Sequence, residues 1–249
     1  MKQFYLAIFA LFLLVTAATA QDKETYQPGY AILKDGKRLS GLISYFASAP
    51  WYNQRFIYVK DSAAVAAKPD GNVPSKKYTA DDLKFYQVGD RVYTKVHYVD
   101  YDNLQLKSLG SNDHMLETFA SGRINVYRFY TYPKDVYFSF GSADEVNDRI
   151  KKDKNNLLEN WKMLTEKDAN GKLNDAYDYD LQKYFQDTPE VLQKFRDGAY
   201  GNEPVSTKKG LAARMISMAR QKTFNHINWE SLVAAFKDYN RVNAAAGTK

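Results

Sequence analysis

The period of the apolar residues changes near Gly141 and divides the chain into a part suited to strands and a part suited to helices. Before this point apolar and polar residues alternate in short runs, which is the period of a half-buried β-strand. The pairs Asp35-Gly36 and Gly89-Asp90 lie between such runs and are typical of tight turns. About nine short strands are therefore predicted, over residues 30–33, 38–46, 55–60, 83–88, 91–99, 104–109, 115–120, 123–132 and 136–140.

After Gly141 the apolar residues recur at helical spacing. Thr188-Pro189-Glu190 combines an N-cap residue, a proline at the first helical position and an acid in the first turn, which favours a helix start. A stripe of apolar side chains predicts another helix that follows Asn228. Helices are predicted over residues 156–165, 179–186, 189–197, 206–224 and from 229 onward.

Strands followed by helices predict an α+β protein. We expect the strands to form an antiparallel β-sandwich or an open barrel, with the helical region packed on it. The predicted divisions are a processing segment at residues 1–20, a β-rich domain at residues 21–141 and a helical region at residues 142–249.

The first twenty residues have the three parts of a signal peptide. Lys2 supplies a positive charge, residues 6–15 are an unbroken apolar run, and Ala18-Thr19-Ala20 is a small-residue cleavage motif. Cleavage is predicted between Ala20 and Gln21. The alternative is a membrane anchor, but this apolar run is short for a span and no basic cluster follows it. We therefore predict a periplasmic, secreted or cell-surface protein with no transmembrane segment in the mature chain.

Composition excludes several kinds of chemistry. The chain has no cysteine, which removes disulfides, thiol catalysis and zinc–cysteine sites. Its formal net charge is +6, and the basic residues are mixed with acids along most of the chain. No dense basic stripe of the kind that tracks a phosphate backbone is present, so nucleic acid is not an expected partner.

The one match to a catalytic motif is S-x-x-K at Ser206 to Lys209, but its partner motif K-T-G is missing, and a helix N-cap followed by exposed lysines explains it better. The three histidines, His97, His114 and His226, share no metal-binding spacing. Neither a nucleophile elbow nor a glycine-rich phosphate loop is present. We therefore predict no catalytic residue and no cofactor, and the protein is more simply explained without an enzymatic activity.

A weak calcium motif starts at Glu166. Glu166, Asp168 and Asn170 place oxygen atoms at alternate positions, and Gly171 stands at the sixth position, as in an EF-hand loop. The twelfth position, which should carry a bidentate glutamate, is Tyr177. The alternative is a plain Asn-Gly turn.

Aromatic residues are the remaining candidates for a binding site. Trp51 and Tyr52 follow Pro50 in a predicted loop, and Tyr130 and Tyr132 lie in an aromatic strand with large residues on both faces. Side chains with an apolar face and a polar tip suit the recognition of sugars or peptides. The alternative is that the helices cover the second face of this strand and these residues belong to the core.

Several segments resemble exported Bacteroidetes proteins of unknown function, in which a glycine- and tyrosine-containing hairpin follows the signal peptide. The resemblance lies in residues 28–30, 34–36, 39–43, 78–86, 118–127 and 181–198. It departs from the pattern at Lys37, where an acid is usual, and at Thr188, where a cysteine is common. The resemblance implies an exported, envelope-associated protein and carries over no catalytic residue.

Two functions are open at this point, besides a calcium-dependent structural module built on the motif at Glu166. The first is a non-enzymatic binding or interaction module whose partner is a glycan, a peptide or another envelope protein. The second is a hydrolase of envelope or extracellular polysaccharide. Such an enzyme needs two carboxyl groups roughly 5–10 Å apart across a cleft.

Overall fold

A computed structural model describes residues 24–68, 72–101, 112–133, 142–176, 181–202, 204 and 229–246. Ten strands form one antiparallel sheet in the order β10-β9-β8-β7-β6-β5-β1-β2-β3-β4. The strands are β1 Thr25–Leu33, β2 Arg38–Tyr45, β3 Phe56–Asp61, β4 Lys76–Thr79, β5 Leu83–Val88, β6 Arg91–His97, β7 Asp113–Ala120, β8 Ile124–Phe129, β9 Lys162–Lys167 and β10 Asn174–Asp175. The described helices are α1 Ser62–Ala67, α2 Ala143–Glu159, α3 Leu181–Tyr184, α4 Pro189–Arg196 and α5 Trp229–Ala246. The expected antiparallel β-rich part with helices mostly in the later part is confirmed.

The predicted first hairpin is confirmed. The β1–β2 turn has Gly36 in the left-handed region (φ 89°), and Asp35 Oδ1 accepts a hydrogen bond of 2.9 Å from the amide of Lys37. Glycine adopts this backbone conformation without the steric cost that a Cβ atom would bring. The turn therefore sets the register in which Ile32 pairs with Arg38.

The connection from β4 to β5 shows that the first five strands curl. Only residues 80–82 join Thr79 to Leu83, although β4 and β5 are four strand spacings apart in the sheet order. A flat sheet would separate them by ~19 Å, whereas this link spans at most ~14 Å. Two inward glycines allow the curl, since a Cβ on Gly29 or Gly41 would lie 2.0 or 1.9 Å from a backbone oxygen of a neighbouring strand.

Strand β9 corrects the helix predicted over residues 156–165. Helix α2 ends at Glu159, and Lys162–Lys167 pairs with β8 instead. Met163 and Leu164 are buried in this strand, and Trp161 is buried just before it. Their spacing is compatible with a helix, but pairing with β8 buries them and satisfies the backbone, so tertiary structure overrides the local pattern.

Other helices fit their sequence signals more closely. Helix α2 begins with a capping box between Ser142 and Glu145, and Pro189 stands at the start of α4 as predicted. Thr188 makes no side-chain capping bond. The apolar stripe predicted after Asn228 is the buried face of α5, whose buried members are Leu232, Val233, Phe236 and Tyr239. Helix α1 lies between two predicted strands, in residues for which no helix is predicted.

Helices α3 to α5 pack on the face of the sheet formed by β7 to β9. Their largest shared cluster of buried side chains joins strand residues such as Ile124 and Met163 to Phe185, Leu232 and Phe236. No described helix is long and apolar enough to cross a membrane. The predicted signal peptide and its cleavage site, the strands predicted over 104–109 and 136–140, and the helix predicted over 206–224 lie outside the described residues.

Candidate functional site

Charged side chains lie on one face of strands β5 to β8. This face is continuous with the inner face of the curled strands β1 to β5. Cross-strand partners share a face of a sheet. The pairs Tyr86–Tyr93, Tyr93–Glu117 and Glu117–Arg128 therefore form one row across β5 to β8. The row begins with the buried, stacked rings of Tyr86 and Tyr93, 4.3 Å apart, and then becomes charged. Local strand pairing thus places an arginine and a glutamate side by side next to the protein core.

Three aromatic rings surround the guanidinium of Arg128, an arrangement we call the arginine cage. Its Cζ atom lies 4.6 Å from the ring centre of Phe119, 4.5 Å from that of Trp161 and 5.1 Å from that of Trp229. Phe119 and Trp229 are themselves stacked at 5.0 Å. Rings hold a cation by electrostatic attraction and restrict its side-chain rotamers. The cage therefore fixes the position of a charge that solvent reaches only slightly, at 13% of the side-chain surface.

Arg91, Glu117 and Arg128 form a charged triad. Arg91 Nη1 lies 3.2 Å from Glu117 Oε1, and Arg128 Nη1 lies 3.4 Å from Glu117 Oε2. Each oxygen of the glutamate thus serves one arginine. Burial opposes the charge of Arg91, but its attraction to Glu117 and to nearby tyrosines raises its pKa. The triad carries two positive charges and one negative charge. It is joined by Tyr45, whose ring centre lies 4.8 Å from Arg91 Cζ.

Tyr130 connects the charged triad to the aromatic residues that the sequence singled out. Its hydroxyl accepts a hydrogen bond of 3.3 Å from Arg128 Nη1. Burial raises the pKa of Tyr130, and the charge of Arg128 partly opposes that effect. The ring also packs against a second aromatic cluster on the other side. Tyr130 therefore belongs to both groups.

The second cluster brings together all four predicted binding residues. Trp51 is a buried member of this cluster with Phe46 and Ala49. Tyr52, Tyr130 and Tyr132 pack against the cluster, as do Leu157 and Leu158 of α2. Trp51 is 1% exposed, so its own surface is not presented to a ligand, and its Nε1 has no hydrogen-bond partner within the described part of the chain. The three tyrosines are partly buried and keep some accessible surface. Their role in binding stays a prediction.

Tyr132 is positioned through a buried histidine. The Tyr132 hydroxyl lies 2.9 Å from His114 Nδ1, and His114 Nε2 lies 3.0 Å from the carbonyl oxygen of Tyr98. This pattern fits a neutral imidazole that donates from Nε2 and accepts at Nδ1. Burial first, and the charge of Arg55 second, lower the pKa of His114 to about 4. His114 is thus a neutral positioning group.

The predicted calcium loop is the turn of a β-hairpin between β9 and β10. Asp168 receives two hydrogen bonds from Arg123, of 2.7 and 3.1 Å. Glu166 Oε1 accepts from the amide of Gly171, and Asn170 Oδ1 accepts from the amide of Lys172. The side-chain oxygens that the motif offered are therefore engaged in holding the turn. Among the described residues no group of three or more His, Asp or Glu side chains is placed to hold a metal ion.

The charged triad escaped the sequence-based search. Its members are separated by 26 and 11 residues along the chain and belong to no known motif. One signal was present, since Arg128 stands between Tyr127 and Phe129 in a strand rich in aromatic and apolar residues. A charge at such a position has to be paired once the strand is buried.

The chain was compared with protein-family models, with curated proteins and with solved structures, and none of them matches it.

Proposed function

We propose that the chain is an exported, non-enzymatic binding module and that its ligand contacts the face formed by Arg91, Arg128, Tyr45 and Tyr130. Export is supported by the signal-peptide pattern of residues 1–20 and by the resemblance to exported Bacteroidetes proteins. The compartment is the periplasm, the cell surface or the medium. The curl of β1 to β5 supports an open barrel whose inner face leads into this site.

The arginine cage is the observation that carries the proposal. Removing an arginine from water costs free energy that one ion pair only partly returns. Apolar residues of similar volume often stabilise such a position at least as well. A charge held in this way, in a low-dielectric setting and with its rotamer fixed, is typical of a preorganised recognition site.

The described carboxyl groups favour binding over hydrolysis. A polysaccharide hydrolase needs one carboxyl group whose pKa is raised so that it can donate a proton. Among the described residues, every carboxyl group whose pKa is displaced has a lowered pKa. These groups are Asp82, Asp113, Glu145, Asp168, Asp187 and Asp238. Both oxygens of Glu117 are in ion pairs. The hydrolase alternative gains no support from these residues.

A direct binding measurement tests the proposal. The purified chain is screened on arrays of envelope and extracellular glycans and of peptides, and hits are titrated by calorimetry with wild type, Arg128→Lys and the control Arg38→Lys. Arg38 also lies over a tyrosine ring, at 3.8 Å from Tyr30, but on the other face of the sheet. We expect a ligand that Arg128→Lys weakens and Arg38→Lys does not. Release of reducing ends from a polysaccharide by the purified chain would contradict the proposal.

A further inference from the structure

We propose, on the basis of the binding function above, that the ligand is an acidic glycan whose sugar carboxylate is held between Arg91 and Arg128. The charged triad leaves one positive charge without a partner inside it. Asp90, in the adjoining turn, is exposed, attracts Arg91 less than Glu117 does, and forms no ion pair with any described residue. With one ligand carboxylate added, the site would hold two negative charges, that of Glu117 and that of the ligand, beside the positive charges of two arginines.

The two arginines have donors to offer. A guanidinium carries five N–H groups, and two of them match the two oxygens of a carboxylate. Within the described residues the hydrogen bonds of Arg128 leave only from Nη1. Its Nε is buried out of a ligand's reach, so the donors that Arg128 offers are on its terminal nitrogens. Arg91 likewise donates to Glu117 from Nη1, and 37% of its side-chain surface is exposed. Arg91 is therefore the accessible arm of the site and Arg128 the fixed one.

Charge and shape favour a carboxylate on a ring over a phosphate group. A phosphate monoester brings roughly −1.5 to −2 charges at neutral pH and would leave the site with excess negative charge. The rings of Tyr45 and Tyr130 flank the arginines, and such amphipathic faces suit a sugar ring beside its carboxylate. A uronic-acid residue has both features.

The sheet topology argues for a glycan over a peptide. Extended peptides commonly bind by adding a strand to an open sheet edge. At this site β6, β7 and β8 are each paired on both sides, and the edges of the sheet are β4 and β10. The site thus offers side chains and no free backbone edge.

The test compares matched ligands on the full chain. The probes are a hexasaccharide of galacturonic acid, the same hexasaccharide as its methyl ester, and a peptide with a free terminal carboxylate. Affinities are measured by calorimetry for wild type, Arg91→Met, Arg128→Lys and the matched control Arg38→Met. Melting temperatures are recorded for each, and Arg91→Met is the primary variant because its partly exposed side chain can be shortened without opening the core.

We expect the acidic hexasaccharide to bind and the ester to bind at least tenfold more weakly. Arg91→Met should lose about 10- to 100-fold in affinity, the range for a charged hydrogen bond, and Arg38→Met should match wild type. If the acidic hexasaccharide and its ester bind equally well, the proposal of an acidic ligand is overturned, but the proposed binding function is not. If the acidic hexasaccharide binds and neither Arg91→Met nor Arg128→Lys changes its affinity, the proposed location of the site is wrong. If the peptide binds and neither hexasaccharide does, the proposal of a glycan ligand is overturned. If none of the probes binds, the acidic glycan is overturned, while the arrays decide the binding function separately.

Discussion

The side-chain amide of Gln54 forms two hydrogen bonds with the backbone of Tyr130. Gln54 Nε2 donates to the carbonyl oxygen at 2.8 Å, and the amide of Tyr130 donates to Gln54 Oε1 at 2.6 Å. The carbonyl oxygen of Gln54 also accepts from Met115, at 2.9 Å. Gln54 thus takes the place of a neighbouring strand just beyond the end of β8, and its side chain fixes the backbone from which Tyr130 reaches Arg128.

Two further residues form the same amide clamp, by which we mean a side-chain amide paired with both backbone groups of one residue. Asn240 of α5 clamps Ile124 at the start of β8, with distances of 2.8 and 2.7 Å. Asn53 clamps Phe46, with distances of 3.0 and 3.1 Å. Strand β8, which carries Arg128, is therefore held by a clamp at each end.

Replacing Gln54 by leucine should destabilise the protein. The change leaves the amide and carbonyl of Tyr130 without their partners, which costs about 2–4 kcal/mol in the free energy of unfolding. Urea denaturation at pH 7 measures the loss. Gln87→Leu is the control, because the Gln87 side chain makes an exposed hydrogen bond to Gly89. An equal loss in the two variants would contradict the importance of the clamp.

Changing Asn240 to aspartate should give a stability deficit, relative to wild type, that becomes smaller in acid. At neutral pH a carboxylate still accepts from the amide of Ile124 but faces its carbonyl oxygen with no proton to donate, so we expect a loss of about 1–3 kcal/mol. When the carboxylate is protonated, it can donate to that oxygen and recovers part of the loss. Denaturation of wild type and variant between pH 7 and pH 3 gives the difference. A difference that stays constant or grows as the pH falls would be evidence against this contact.

The buried His114 makes stability depend on pH. Its pKa of about 4 in the folded protein lies below the ordinary value of 6.5. Between pH 6.5 and about 4, His114 binds a proton in the unfolded chain but stays neutral in the folded protein. The contribution of neutral His114 to stability is therefore complete above pH 6.5. It is lost as the pH falls to about 4. The total is about 3 kcal/mol.

Denaturation of wild type and His114→Gln over this pH range checks the prediction. The variant should show a shallower fall in stability between pH 6.5 and pH 4. Identical slopes for wild type and His114→Gln would show that His114 is protonated in the folded state.

The Glu117–Arg128 pair of the charged triad should be replaceable without loss of stability. Glu117→Leu alone leaves Arg128 buried without its acid, and we expect a loss of about 3–5 kcal/mol. The double variant Glu117→Leu/Arg128→Met removes both charges and should be about as stable as wild type, while losing its ligand. Thermal and urea unfolding of both variants measure this. A double variant that is less stable than the single one would show that the triad serves the fold.

The sequence indicated those elements whose signals are local. The Asp35-Gly36 turn, the start of α4 at Pro189 and the buried stripe of α5 each depend on residues a few positions apart. The sequence also drew attention to Trp51, Tyr52, Tyr130 and Tyr132, which meet in one cluster. At Lys162–Lys167 the spacing of the apolar residues is compatible with both a helix and a strand, and the predicted helix is wrong. Pairing with β8 decided in favour of the strand.

The sequence by itself determined the alternation of strands and turns, the helical character of the later part and the absence of thiol chemistry, because these follow from residue type and short-range period. Tertiary structure decided the curl of the first five strands, the arginine cage and the clamps on β8. Gln54 and Tyr130 are 76 residues apart, and Asn240 and Ile124 are 116 apart. Such contacts depend on which strands become neighbours, and no local pattern records that choice.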